Sequence, residues 1–248
     1  MRTVILVQAR MGSQRLPGKV LLDLAGRPLL AQVIRRLQRC QTATAIVIAT
    51  TTQPQDDAVA ALAKALGVAC FRGSETDVLA RFCGAAQASQ AEVIVRITAD
   101  CPLIDPEVCD LVVATLLQRR RECDYASNVL QRTYPRGLDV EAMFLDTLLR
   151  LDRLAGTPED REHVTSFLRR RPDLFLLASV EDQDNNADLR WTVDEPSDLE
   201  LIRRLYQDLD LAHQWVGYRD LVAYVRAHPE LARFNQANLT WDPTCNPG

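Results

Sequence analysis

Thr3-Val4-Ile5-Leu6-Val7-Gln8-Ala9-Arg10-Met11-Gly12-Ser13-Gln14-Arg15-Leu16-Pro17-Gly18-Lys19 holds a strand and the loop that follows it. Val4 to Val7 is an unbroken apolar, mostly β-branched run, the pattern of a strand buried on both faces of a parallel sheet. The pattern returns at Ala45 to Thr50, Val68 to Phe71 and Val93 to Thr98. Between these runs, Pro28 to Cys40 repeats Leu29, Leu30, Val33, Ile34 and Leu37 at helical spacing. Asp56 to Leu66 repeats Ala58, Val59, Leu62 and Leu66, and Asp77 to Ala88 carries a similar stripe. The first hundred residues therefore read βαβαβαβ, an α/β arrangement with a mainly parallel sheet and helices on both faces.

A glycine-containing loop at the carboxyl end of a parallel strand lies where α/β sheets bind ligands. Arg10, Arg15 and Lys19 bring three cations to it. Backbone N–H groups near Gly12 and Ser13 can cradle phosphate oxygens, the arginine forks can bind bidentately, and Lys19 can act as a mobile point charge. The loop is not a Walker A motif, because Gly12 to Gly18 is one residue too long and Val20 follows Lys19. Nor does it form a GxGxxG turn. A basic turn that only caps the sheet would leave the clustering of three cations unexplained.

After Pro102 the pattern loosens. Helices are expected over Pro106 to Arg120, Leu145 to Ala155, Pro158 to Arg170 and Pro196 to Leu209, and strands over Leu174 to Val180 and Arg190 to Val193. The stretch Asp124 to Glu141 reads as a polar region, and Asn235 to Gly248 as a polar tail that packs on the surface or frays. One domain over 1–234 is expected, with parts over about 1–105, about 106–190 and a closing strand and helix over about 190–210. The 248 residues are 47% apolar and 25% charged, the mix of a folded globular chain. A net charge of -4 provides no global field for a nucleic-acid backbone. No apolar run spans a bilayer, so a cytoplasmic protein is expected. Seven cysteines without a CxxC pair read as small apolar residues rather than a disulfide or zinc framework. In such a chain the sequon Asn238-Leu239-Thr240 reads as chance.

Asp100 stands just beyond the strand that ends at Thr98, with Pro102 stopping any continuation. A triphosphate held by cations still needs an oxygen-bound metal for the charge that builds at the α-phosphate and the leaving pyrophosphate. Mg²⁺ meets that need with one or two carboxylates plus phosphate oxygens. Asp194, between a short strand and a helix opened by Pro196, offers the second carboxylate. It also fits a helix N-cap, a role that Ser197 could take instead. The polar segment Asn128 to Glu141, with Arg132, Tyr134, Arg136, Asp139 and Glu141, suits a polyol or acid acceptor, or is a solvated connection. His163 is open to a substrate or a structural role; His213 and His228 read as surface or packing residues. The runs Arg119 to Arg121 and Arg169 to Arg171 read as helix ends whose cations complement the dipole.

Arg10 to Lys19 resembles the RxxSxRLPGK signature of the sugar nucleotidyltransferases that include the CMP-KDO and CMP-sialic acid synthetases, and within them the SpsF-like branch. Five further blocks recur in order: Gly73 to Phe82, Val95 to Pro106, Tyr134 to Glu141, Arg161 to Thr165 and Trp191 to Asp198. The resemblance covers residues 4 to about 205. It implies a three-layer Rossmann-like, GT-A-like fold and a homodimer, with nucleotide binding over about 1–105, acceptor binding and dimerisation over about 106–190 and a metal-binding strand and helix over about 190–210. The implied activity joins the nucleotidyl group of a nucleoside triphosphate, CTP, to a sugar-like acceptor in surface-glycan precursor synthesis, with release of pyrophosphate.

It further implies catalysis by Arg10, Arg15, Lys19 and Asp100, with Mg²⁺ on Asp100 and Asp194. Nucleotide contacts fall to Ala9, Arg10, Gly12, Ser13, Arg15, Lys19, Asp77, Arg81 and Asp100. Acceptor contacts fall to Asn128, Tyr134, Arg136, Asp139, Glu141 and His163, with Arg136 on an acceptor carboxylate or phosphate. Ala99 departs from the usual glycine before the aspartate, so its backbone must avoid positive φ. The rivals are a GT-A-type glycosyltransferase, whose DxD pair is missing near Asp100, and a nucleotide-binding regulator without turnover.

Overall fold

The computed structural model describes residues 1–235. In chain order its elements are β1 (Thr3–Gln8), β2 (Asp23–Leu24), β3 (Arg27–Pro28), α1 (Leu29–Leu37), β4 (Ala45–Thr51), α2 (Asp57–Ala65) and β5 (Ala69–Gly73). Then come α3 (Val78–Ala88), β6 (Val93–Thr98), α4 (Pro106–Gln118), β7 (Tyr125–Ser127), β8 (Glu141–Phe144), α5 (Leu145–Leu154), α6 (Pro158–His163) and α7 (Ser166–Arg170). The chain continues through β9 (Leu177–Ser179), α8 (Pro196–Asp208), α9 (Tyr218–Ala227) and α10 (Pro229–Ala232).

Seven strands form one sheet in the order β5-β4-β1-β6-β8-β7-β9. β1 pairs in parallel with β4 and β6, while β8 runs antiparallel to β6 and β7. The side chains of β1 alternate between two cores, as strand pleating requires. Ile5 and Val7 pack with Leu30, Val33 and Ile34 of α1, Val112 of α4 and Ile202 of α8. Val4 and Leu6 pack on the other face with Leu79 and Phe82 of α3 and Leu148 and Leu151 of α5. A hydrophobic side chain buried in this way contributes about 1.5–3 kcal/mol, so the three layers are fixed by the unbroken apolar strands.

The chain lays β4 and β5 on one side of β1, then crosses back to put β6 on the other. That reversal is a switch point, outside which α/β sheets form their ligand crevice. The loop after β1 and the turn carrying Asp100 after β6 open into it.

Several sequence expectations change. The helix expected over Pro158 to Arg170 is broken at Val164, which is fully buried with φ 57. A β-branched residue in that region is strained by about 1–3 kcal/mol, and the break turns α7 away from α6. Arg190 to Val193 is not a strand. It makes one bridge to Arg136 and then runs beside Asp100, where Val193 N–H donates to the Asp100 carbonyl at 2.8 Å. The strand expected from Leu174 shortens to β9, and the polar region from Asp124 opens with the buried strand β7. The expected surface tail begins inside the protein: Asn235 is buried and its amide donates to the Arg190 carbonyl and to Asp198, both at 2.9 Å. Asn238 and Cys245 lie outside the described residues. No helix among the described residues is long and apolar enough to cross a membrane.

Candidate active site

Gly18 takes φ 69, a left-handed conformation open to glycine, and starts a short turn over Lys19–Leu21. This turn points Lys19 back under the loop. Its ammonium donates to Asp100 Oδ2 at 2.7 Å, Asp194 Oδ1 at 2.8 Å and the Val193 carbonyl at 2.8 Å. Lys19 is 8% exposed, so the expected mobile point charge is instead a fixed cation shared by two carboxylates. Burial alone would lower its pKa, but Asp100 and Asp194 outweigh that and raise it.

The three loop cations diverge. Arg15 reaches Asp194 at 3.2 Å and Glu195 at 3.5 Å, whereas Arg10 faces Glu162 of α6 at 3.7 Å. The Ser13 N–H donates to the Met11 carbonyl at 2.9 Å. Ala9 is buried and continues the sheet through the Ala49 carbonyl, so it frames the loop's start. Gly12 lies beside the side chains of Gln55 and Glu75. Met11 N–H is anchored by the buried Asp56 at 2.7 Å.

Asp100 follows β6 through Ala99, which does not take positive φ and whose N–H pairs with the Gln8 carbonyl at 2.9 Å. Burial pushes the Asp100 carboxyl up, yet Lys19 overrides this and pulls it down to about 2. Asp194 is not the N-cap of α8. Glu195 and Asp198 form a reciprocal capping box there, which replaces the alternative caps Asp194 and Ser197 and leaves the Asp194 carboxylate to the site. Arg190 holds Asp194 Oδ2 at 2.7 Å while its Nε bonds the fully buried Asp198 at 3.1 Å. The side chains of Asp100 and Asp194 are 22% and 17% exposed, and they converge on one cation.

Beside this pair opens a cavity of about 220 Å³. Its wall carries Arg15, Asp100 and Asp194, and beyond them Arg96, Thr98, Cys101, Val129, Arg132, Arg136, Gly137, Asp139, Glu141, Arg169, Arg190 and Thr192. Six guanidiniums thus face four carboxylates. Arg132 grips Asp139 through two bonds of 2.6 and 2.9 Å. Glu141 is paired to Arg96 through Oε2, and its Oε1 accepts from Tyr125 and Thr165 at 2.6 Å each. Burial would raise the Glu141 carboxyl, but Arg96 and then Arg169 hold it down to about 2.

Of the expected acceptor residues, Arg136, Asp139 and Glu141 line the cavity; Asn128, Tyr134 and His163 are not among its lining residues. Asn128 is buried and clamps its own loop, donating to the Leu138 carbonyl at 2.7 Å and accepting from Val140 N–H at 2.9 Å. Tyr134 is buried with its ring 5.4 Å from that of Tyr218. His163 ends α6, and its carbonyl accepts the Thr165 N–H. Asp77 caps α3 through Ala80 N–H at 2.9 Å and binds Arg161 at 2.7 Å. Arg81 is 1% exposed and its Nη1 bonds the Ser74 carbonyl; burial and the neighbouring Arg10 bring its pKa down to about 10. Arg81 therefore braces the loop at Ser74, and Asp77 ties the start of α3 to Arg161.

Sequence reading missed Arg96, Arg169 and Arg190. Arg96 has a signal, a lone cation inside the apolar strand Val93 to Thr98. Arg169 was hidden in a helix-end run.

Residues 4–217 match a family model described as cytidylyltransferase. A cytidylyltransferase structure from Leptospira borgpetersenii superposes with TM-score 0.89 at 32% identity, covering 94% of this chain and 97% of that one. The spore coat polysaccharide biosynthesis protein SpsF of Bacillus subtilis is 31% identical over 242 residues, 95% of this chain and 98% of its own. The structure of CMP:2-keto-3-deoxy-manno-octonic acid synthetase complexed with CTP superposes with TM-score 0.63 at 21% identity, covering 84% of this chain and 99% of that one. At that identity the likeness is one of fold.

Proposed function

Because this chain belongs to the cytidylyltransferase family, we propose that it transfers CMP from CTP to a hydroxyl of a sugar acid and releases pyrophosphate. The acceptor oxygen attacks the α-phosphorus in line. One P–O bond forms as the bond to the pyrophosphate oxygen breaks, and the hydroxyl proton leaves to solvent. No covalent enzyme intermediate is needed, so the protein's part is positioning and charge stabilisation.

The observation that carries this reading is the convergence of Asp100 and Asp194 on the Lys19 ammonium, at the mouth of a cavity rich in arginine. Two carboxylates that share one cation, open to solvent on one side, form an oxygen donor set that fits Mg²⁺. Bound there, Mg²⁺ supplies neutralisation of charge on the α-phosphate and the leaving group. Arg190 fixes the Asp194 rotamer by a bond to its second oxygen. Arg10 and Arg15 bind the triphosphate oxygens, Lys19 holds Asp100 and Asp194 together beneath them, and Arg136 and Asp139 face the acceptor. The relative named for spore coat polysaccharide biosynthesis supports a role in surface-glycan precursor supply. In this reading the enzyme is a cytoplasmic homodimer.

The test is incubation with each of the four nucleoside triphosphates, Mg²⁺ and a panel of acidic, phosphorylated and neutral sugars. Pyrophosphate release dependent on CTP and an acceptor is expected. Release of nucleoside diphosphate from a nucleotide sugar would replace this reading with a glycosyltransferase, and nucleotide-dependent thermal stabilisation without any product would replace it with a regulator.

A further inference from the structure

The cavity beyond the aspartate pair carries more positive charge than its own carboxylates balance. Arg132 is taken up by Asp139, and Arg190 by Asp194 and Asp198. Arg96 is paired with Glu141. Both Glu141 oxygens are already engaged, one by Arg96 and the other by Tyr125 and Thr165. Arg169 lines the same cavity, and its buried Nε has no hydrogen-bond partner among the described residues. Its neighbour Arg170 is paired, with Asp160.

The chain is built to bring Arg169 there. The break at Val164 ends α6 and restarts the helix as α7, with the Thr165 N–H donating to the His163 carbonyl at 2.6 Å. A continuous helix would carry Thr165 and Arg169 along the axis of α6. The break instead puts the Thr165 hydroxyl on Glu141 at 2.6 Å and Arg169 on the cavity wall. Two guanidiniums, Arg96 and Arg169, then share the field of one carboxylate. A buried guanidinium nitrogen without a partner is costly unless a ligand oxygen completes it.

We infer that Arg169 binds an anionic group of the acceptor and thereby selects acidic over neutral sugars. The inference rests on the proposed nucleotidyl transfer and deepens it: the planar fork of Arg169 fits a compact oxyanion, borne as a carboxylate by a sugar acid or as a phosphate ester by a sugar phosphate. Arg169 is a specificity residue here, distinct from the loop that holds the nucleotide.

The experiment compares wild type, Arg169→Gln and Arg169→Lys. Three probes are used: 2-keto-3-deoxy-manno-octonate, its C1 amide and a hexose 6-phosphate. Binding is read by calorimetry and transfer by pyrophosphate release with CTP. Wild type is expected to prefer an acidic probe over the amide. Arg169→Gln should raise KM for that acid roughly ten- to a hundredfold, leave the amide and CTP affinity unchanged, and change kcat little. Arg169→Lys should restore part of the loss, because it keeps the charge and loses the fork. Loss on the carboxylate arm marks a sugar acid, and loss on the phosphate arm a sugar phosphate.

A wild type indifferent to acid against amide would overturn the inference. So would an equal loss for acid and amide in Arg169→Gln, which is what a merely structural arginine beside Glu141 gives. If Arg169→Gln does not fold, the KM for the acid in Arg169→Lys at unchanged melting temperature decides. Absence of pyrophosphate from any triphosphate, with acid-selective binding retained, would sink the transferase reading and leave the anion site standing.

Discussion

Replacing Lys19 by methionine keeps an unbranched stem and removes the ammonium between Asp100 and Asp194. In the native protein Lys19 outweighs burial and holds the Asp100 carboxyl at about 2, against an ordinary 3.8. That gap corresponds to about 2 kcal/mol of stability at neutral pH. Asp194 loses a charge-assisted bond at the same time, though it keeps Arg190 and Arg15. Breaking a buried ion pair costs about 3–5 kcal/mol, and solvent reduces this here because the two carboxylates are 22% and 17% exposed. The expected loss is about 2–4 kcal/mol, or roughly 5–15 °C in Tm for a chain of this length.

The pH dependence gives the sharper signature. With its folded pKa depressed, Asp100 contributes stability above the ordinary carboxylate range and loses it as pH falls through about 2. Without Lys19, only the hydrogen bonds from Thr98 and Cys101 oppose burial, which then lifts the carboxyl. The variant then gains stability as pH falls towards about 5 and loses it as pH rises through the lifted pKa. Urea unfolding at pH 5 and pH 8 should show the larger deficit at pH 8, and calorimetry should show CTP binding weakened roughly ten- to a hundredfold. An equal deficit at both pH values, or none, would mean that the ammonium does not couple the two aspartates.

Asp100→Asn and Asp194→Asn should each lower turnover on the order of a hundredfold or more, read as a function of Mg²⁺; normal turnover at limiting Mg²⁺ would remove that residue from the metal site. Gly137→Ala should unfold at markedly lower urea than wild type, because φ is 103 and a Cβ would meet the Trp191 and Thr192 backbone at 2.6–2.7 Å. Gly26→Ala, with φ 78 and open space around it, should cost only about 1 kcal/mol. Arg136→Ala should raise the acceptor KM while the CTP Kd, measured without acceptor, stays unchanged; a substantial drop in CTP affinity would move Arg136 onto the triphosphate.

The sheet was legible because its information is local. In β1 every residue from Val4 to Val7 is apolar, so the sequence marks a strand covered on both faces, and pleating assigns Ile5 and Val7 to one core and Val4 and Leu6 to the other. The loop cations were legible as types but not as positions. Lys19 reads as a phosphate ligand within its loop, whereas its partners lie 81 and 175 residues further on. Burial among those partners turns an expected mobile charge into a fixed bridge. The break at Val164 was hidden for the opposite reason: nothing local opposes a helix over Pro158 to Arg170, and tertiary packing imposes the left-handed residue.

The cavity was the least legible part, and the reason can be stated residue by residue. Arg96 and Glu141 become partners only when β8 pairs antiparallel with β6, which sets those two residues opposite each other. Within the segment 128–141, side chains of similar polarity divide by register: Asn128 closes its own loop through two backbone bonds, while Arg132, Arg136 and Asp139 face the cavity. A polar segment therefore identifies a wall of the site without saying which residues form its surface and which its frame. That division predicts different failures. Asn128→Ala should destabilise the protein and disturb all ligands together, because two buried backbone groups lose their partner. Arg136→Ala should leave the melting temperature nearly unchanged and discriminate among acceptors. If Asn128→Ala instead kept full stability and changed only the acceptor KM, the amide would belong to the binding surface after all, and the loop would have to present it to the cavity in a second conformation.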